Sequence, residues 1–309
     1  MGRASASPAP SRPKRESSSK APAAPKAANG MVSSLLKWAH MPWAITLGIF
    51  ALAVRSAWLK AIVLKAVNGM GDFPLIDAFH ATAVAFEYRA TANERQGTLQ
   101  RLVAIVVTAL GGTTAMSFLI GQPCGWLCDN QTLTAYIVAW FALHHMPGDV
   151  IFRALDYSSG TRFAVTFLDD ISWGVAITKW GMFKALDAMH EAPRPSGVAA
   201  LLAGCVAGCG GGVAQQMCSL VEAEWKLKTP DAFRGSVLDV SKGFGVKASA
   251  CMVLLAYCLL DPHDNVKSFV HPGWQRLDRE SVIFTAVVGM VCAATVRGEV
   301  AKQLGKLSQ

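Results

Sequence analysis

The sequence predicts an all-α fold, a polytopic bundle of membrane-spanning helices, and three observations carry that prediction. The chain of 309 residues is 52% hydrophobic and 16% charged, with a mean hydropathy of +0.33; soluble domains carry about 25% charged residues. Continuous apolar runs near the length that crosses roughly 30 Å of hydrocarbon, about 20 residues, recur along it. A spanning β-barrel would instead show short segments of alternating polarity.

Residues 1–30 are rich in Ser, Ala, Pro and Lys/Arg, with Glu16 the only acid, and cannot bury enough apolar surface to fold. They read as a disordered basic tail. That composition suits a cytoplasmic tail, and its Ser/Ala/Arg richness with scarce acid also suits an organelle transit peptide. Residues 31–68 hold one further apolar run, Trp43–Leu64, interrupted by Arg55 and Lys60. This extra N-terminal helix either spans the membrane or lies on its surface with both basic side chains snorkelling.

The main body, residues 69–300, carries seven runs: Pro74–Thr91, Arg101–Ile120, Thr132–Phe152, Phe163–Phe183, Val198–Val221, Gly243–Leu260 and Ser281–Val296. Residues 301–309 read as a short cytoplasmic tail. With Trp43–Leu64 counted as a span, both tails fall on one side. That side also receives Arg89, Arg95 and Arg101, then Arg153 and Arg162, then Lys226, Lys228, Arg234 and Lys242, and finally Arg297, Lys302 and Lys306. A positive-inside bias therefore favours eight spans over seven. The net charge of +8 is accounted for by these loops and tails, so no nucleic-acid partner is expected.

Of the eight cysteines, Cys205, Cys209, Cys218, Cys251, Cys258 and Cys292 fall within apolar runs, where Cys acts as a small apolar residue. Cys124 and Cys128 flank a turn without a His at zinc-site spacing. No disulfide framework, metal site or cofactor is expected. No phosphate loop, His-x-x-x-His pair or assignable Ser/His/Asp set is present, and the adjacent His144 and His145 do not share a helix face. The sequence predicts no enzyme.

Setting aside the first and last runs leaves six, which divide into two triplets. The middle run of the first contains Gly111 and Gly112, followed by Thr113 and Thr114; the middle run of the second contains Gly204, Gly208, Gly210, Gly211 and Gly212, followed by Gln215 and Gln216. Matched glycine clusters in two halves are a signature of inverted-repeat transport folds. The clusters predict glycine-broken helices whose freed carbonyls, with the Thr and Gln side chains, would line a cation pore. Equally, Gly204, Gly208 and Gly212 form a small-xxx-small ladder that serves close helix packing without a pore.

Ionisable residues at membrane depth are functional candidates. Asp77 and His80, three apart, share a helix face, although Asp77 also suits an interfacial cap. Lys247 is either a pore charge or half of an ion pair with Asp149, Asp169 or Asp170. Glu87 and Arg89 read as a solvated face at a helix end.

At these residues the chain resembles the trimeric intracellular cation channel family, from about Asp72 to Val300. Phe73-Pro74-Leu75-Ile76-Asp77 is similar to the family's Phe-Pro-x-x-Asp start of its first helix. Gly111-Gly112 through Gly121-Gln122-Pro123 looks like its second helix, and Trp140 with Pro147-Gly148-Asp149 like its third. Gly204–Val213 is similar to the glycine-rich fifth helix, and Phe244 through Ser249 to the Phe-Pro-x-Lys-Ala-Ser sixth. The resemblance implies seven core helices, two inverted three-helix repeats plus a last helix, in a homotrimer with one pore per subunit. It further implies passive flow of potassium or other monovalent cations across an endoplasmic reticulum or other intracellular membrane, as counter-ion for calcium release.

On this reading Gly111, Gly112, Thr113, Thr114, Gly210, Gly211, Gly212, Gln215, Lys247 and Ser249 are the expected pore residues. A coupled transporter and a non-conducting scaffold are the alternatives. The chain also departs from the family. Ala207 replaces a Lys before the glycines, Glu87-Tyr88-Arg89-Ala90-Thr91 reorders the charges of a Lys-x-Glu-x-Gly end, and Asp169-Asp170 stand where the family has a basic face linked to phosphoinositides. Anionic lipid is then left to Lys179 and Lys184.

Overall fold

A computed structural model describes residues 48, 50–69, 74–190, 196–234, 242–263 and 275–307, the stretch 298–307 as backbone only. The basic tail and most of the Trp43–Leu64 run's beginning lie outside the described residues. Each apolar run from Pro74 onward forms a helix because, without water, only intrahelical bonds satisfy the backbone. The helices are α1 (Ala57–Asn68), α2 (Leu75–Thr91), α3 (Thr98–Leu119), the single turn α4 (Gly125–Cys128), α5 (Asn130–His145) and α6 (Val150–Asp156). They continue with α7 (Ser159–Val175), α8 (Lys184–Ala188), α9 (Gly197–Met217), α10 (Phe244–Leu260) and α11 (Arg279–Leu307). No strand occurs among the described residues.

Side-chain caps fix several starts. Asp129 accepts the Gln131 N–H, Ser158 the Thr161 N–H and Ser196 the Ala199 N–H; such caps contribute about 1 kcal/mol each. The third run ends early, at His145, because Pro147 cannot continue the helix and Gly148 and Asp149 take positive φ values of 68° and 58°. Residues 301–307 of the expected tail continue α11 as helix. The expected single run Trp43–Leu64 is also interrupted. Residues 50–55 are helical, but Ser56 breaks the helix and caps α1, which at 12 residues is about 18 Å long and too short to cross alone.

Contacts between helix ends fix the direction of each crossing. Gln96, between α2 and α3, donates to the carbonyls of Leu220 and Glu222 just beyond α9, and Arg89 pairs with Asp149 beyond α5. Arg297 of α11 lies over the Phe244 ring at the start of α10. These groups define a lower face. At the upper face Lys184 reaches the Pro123 carbonyl, Arg279 pairs with Asp187, and the Leu277 N–H bonds the Leu259 carbonyl. The triplet α2, α3, α5 therefore starts at the upper face, and α7, α9, α10 at the lower: two inverted repeats, with α11 as the seventh rod. The basic residues from Arg89 to Arg297 expected to share one side lie toward the lower face.

The most extensive packing joins the two middle helices, α3 and α9, and the two first helices, α2 and α7, also pack together. Equivalent helices meeting in this way is what a two-fold relation between inverted repeats produces. Thr98–Leu119, Gly197–Met217 and Arg279–Arg297 are long and apolar enough to cross a membrane, and Phe244–Leu260 is a shorter apolar helix. Phe118, Val138, Phe141, Phe163, Val198 and Leu254 are exposed on the outside. Such a surface belongs in lipid or against another subunit. The chain is a multi-pass membrane protein.

Candidate functional site: a polar cavity between the repeats

The glycine clusters do not break their helices: α3 and α9 run without interruption through Gly111-Gly112 and Gly210-Gly211-Gly212. They instead allow the backbones to touch. A Cβ on Gly112 would sit 2.7 Å from the Ala207 carbonyl oxygen, and one on Gly210 would sit 2.8 Å from the Gly112 Cα. Gly204 and Gly208 use a different face of α9. A Cβ on Gly208 would meet Ile177 Cγ1 at 2.5 Å, and Gly181 packs on the Gly204 Cα. The irregular backbone expected in α3 and α9 falls elsewhere, in the π-helix Ala176–Phe183 that joins α7 to α8. The contact surfaces of α9 hold its glycines in regular helix, and close packing substitutes for intrinsic propensity.

Beside this crossing lies a cavity of about 810 Å³. Along α2 it is lined by Asp77, His80, Val84, Glu87 and Thr91. These positions form one helix face from the first turn to the last, a rise of about 21 Å. Facing them, α7 and its π extension contribute Asp169, Ser172, Trp173 and Trp180, α8 contributes Lys184, and α9 contributes Gly211, Gly212 and Gln215. The cavity thus reaches from the upper face, at Gly125 and Asp129, to the lower, at Asp231, Lys242 and Arg297.

Its walls are bonded across repeats. His80 Nδ1 lies 2.7 Å from Asp169 Oδ1, joining α2 to α7, while the Tyr136 ring of α5 stands edge-on to the imidazole at 6.0 Å. Thr132 Oγ1 lies 3.1 Å from Asp77 Oδ2 and 3.0 Å from Asp129 Oδ2, which brings both carboxylates together at the upper mouth. In that mouth the backbone N–H of Gln131 is the main reason the exposed Asp129 carboxyl lies below its ordinary range, followed by the Thr132 hydroxyl. Thr108 lines the cavity with a buried hydroxyl that has no protein partner. Carboxyl groups at Asp77, Glu87, Asp129, Asp169 and Asp231 outnumber the basic Lys184, Lys242 and Arg297. The three bases lie at the two ends.

Of the residues expected from sequence, Thr113, Gly211, Gly212 and Gln215 line the cavity. Gly111, Gly112 and Gly210 lie behind its wall in the helix crossing. Thr114 accepts the Trp126 indole N–H, and Ser249 accepts that of Trp173, so both hydroxyls brace aromatic lining residues. Lys247, expected at depth, sits in the first turn of α10 and donates to the Lys242 carbonyl. Lys179 donates to the Val67 carbonyl and Lys184 to that of Pro123. Glu87, read as a solvated helix end, lines the cavity, as do Asp77 and His80. The i, i+3, i+10 spacing of Asp77, His80 and Glu87 was the available signal; their partner, Asp169, lies 89 residues from His80.

These features define a membrane protein with a polar cavity inside the chain, between inverted repeats. Its fold is that of the trimeric intracellular cation channels. A structure described as the basis for activity of TRIC counter-ion channels in calcium release matches with a TM-score of 0.57 at 17% identity, covering 79% of this chain and all of that one. A trimeric intracellular cation channel from C. elegans without Ca2+ matches at 0.56 and 18% identity, over 76% of this chain and 93% of that one. Its Ca2+-bound form matches at 0.53 and 15%, over 76% and 96%. No family model and no curated protein matches.

Proposed function

We propose that this chain is a channel for monovalent cations, potassium foremost, that conducts passively through the cavity of each subunit of a homotrimer. The observation that carries the reading is the polar face of α2 from Asp77 to Thr91, which lines one cavity along the whole crossing. Polar groups at that depth are costly unless they pair with one another or face water or an ion, and the Glu87 and Thr91 end of this face lines the cavity. Carboxyl groups at Asp77, Glu87 and Asp169 attract cations, and the unpartnered Thr108 hydroxyl with Thr113 and Gln215 offers oxygen ligands in place of hydration. Gly212, against which an added Cβ would meet nothing within 4 Å, keeps the lumen open.

The fold likeness supports the trimer, an intracellular membrane and a counter-ion role during calcium release. Membrane lipid is the remaining partner in this reading. Lys179 and Lys184 are the groups for an anionic head group, which would displace the carbonyls of Val67 and Pro123. The test is planar-bilayer recording of the purified protein under potassium, sodium and chloride gradients. Currents that reverse near the potassium potential support the reading. A saturating flux that needs a co-ion would support a transporter instead, and silence in folded trimers would support a scaffold.

A further inference from the structure

Outside the acidic lining, the cavity wall carries a second kind of chemistry. Cys205 and Cys209, one turn apart on α9, direct their thiols at each other with Sγ atoms 4.0 Å apart. Neither is in a disulfide. Cys209 lines the cavity, while Cys205 is partly buried behind it with its Sγ 3.9 Å from the Val246 carbonyl. One turn further along α9, Gly212 also lines the cavity and leaves open space where a side chain would stand. A small ion in the lumen therefore has access to the thiol pair.

We propose that Cys205 and Cys209 form a binding site for a soft, two-coordinate d10 cation of the Cu(I) or Ag(I) class, and that occupancy obstructs the lumen. Thiolates select such cations over the hard oxygen-loving ions that carboxylates attract. A two-coordinate ion sits between two sulfurs at a separation close to that already present, so rotation about the two χ1 bonds completes the site while the helix stays as it is. Binding balances as one M+ taken up and two thiol protons released to buffer, leaving an S–M–S unit of net charge −1. No electron is transferred. The regular α9 helix fixes the pair, since cysteines four apart share a face.

The experiment titrates the reduced, full-length protein in detergent with Ag+ and counts tightly held metal by elemental analysis. C205S, C209S, the double variant and C124S/C128S are the comparators, and oligomer elution confirms folding of each. The site predicts that the native protein and C124S/C128S hold one more tight equivalent than C205S, C209S or the double variant. Each single loss should weaken Ag+ by at least about 100-fold, the effective-concentration gain of a second tethered ligand. Equal metal content in all variants, or single variants that each retain half the binding, would overturn it. Binding is read without current, so this result stands or falls apart from conduction. In recordings, Ag+ should block native currents and spare C209S; equal block of both would overturn the obstruction.

Discussion

His80 on α2 and Asp169 on α7 meet at 2.7 Å inside the cavity, so the first helices of the two repeats are bonded through its lumen. On the proposed cation path the Asp169 carboxylate faces the lumen. Replacing it with Asn should reduce cation attraction while the amide oxygen can still accept a hydrogen bond from His80. D169N is expected to lower single-channel potassium conductance on the order of 10-fold, the low end of what focused charge contributes. Unchanged conductance in D169N would remove Asp169 from the path.

Glycines in α9 separate packing from permeation. At Gly211 a side chain would collide with the Thr108 carbonyl, so G211V should destabilise the helix crossing by about 3 kcal/mol and lower the yield of intact protein. At Gly212 nothing lies within 4 Å. G212A should gain about 0.5–1 kcal/mol of helix stability, and G212L should leave the oligomer intact while reducing current. Thermal unfolding with size-exclusion elution, run beside recordings, checks both halves. Equal stability losses in G211V and G212A would contradict the placement.

The lower face should respond to acid through Asp149. Its carboxyl is held below the ordinary range chiefly by its hydrogen bond to Arg89, 2.8 Å away. A depressed value means that the contribution is fully present above the unfolded value of about 4 and is lost as pH falls through the folded value. Native protein should therefore lose thermal stability below about pH 4 more steeply than D149N. Parallel pH profiles would show that the pair contributes nothing.

Tyr88 and Gln96 bind the α2 end to α9: the Tyr88 hydroxyl lies 2.8 Å from the Leu220 carbonyl oxygen, and Gln96 Nε2 lies 2.7 Å from the same oxygen. Y88F should cost about 1–2 kcal/mol, because Gln96 Oε1, 2.5 Å from the hydroxyl, loses that partner while the Leu220 carbonyl keeps Gln96 Nε2. A chemical-denaturation midpoint shift measures it.

The helices, their order and their inversion were legible because apolar length and matched glycine clusters are local signals. Pro147 and Gly148 likewise mark where α5 stops, although the apolar run continues to Phe152. The site was less legible. Glycine spacing alone leaves open whether backbone carbonyls face water or another helix, and here Gly112 and Gly210 face each other's helices while Gly212 faces the lumen. Glu87 reads as a solvated end until α7 supplies Asp169 across the cavity. The π-helix Ala176–Phe183 has no sequence mark; within it Gly181 packs on the Gly204 Cα, a long-range contact that local spacing does not encode.

The proposed route for cations runs through the acid-lined cavity of each subunit. Its most direct test is the reversal potential of the purified protein in a planar bilayer under a potassium chloride gradient, for native protein and for the D77N/D169N variant. Reversal near the potassium potential is expected in the native protein, with a marked shift toward zero in the variant. Reversal at the chloride potential, or a native value unchanged by loss of both carboxylates, would contradict it.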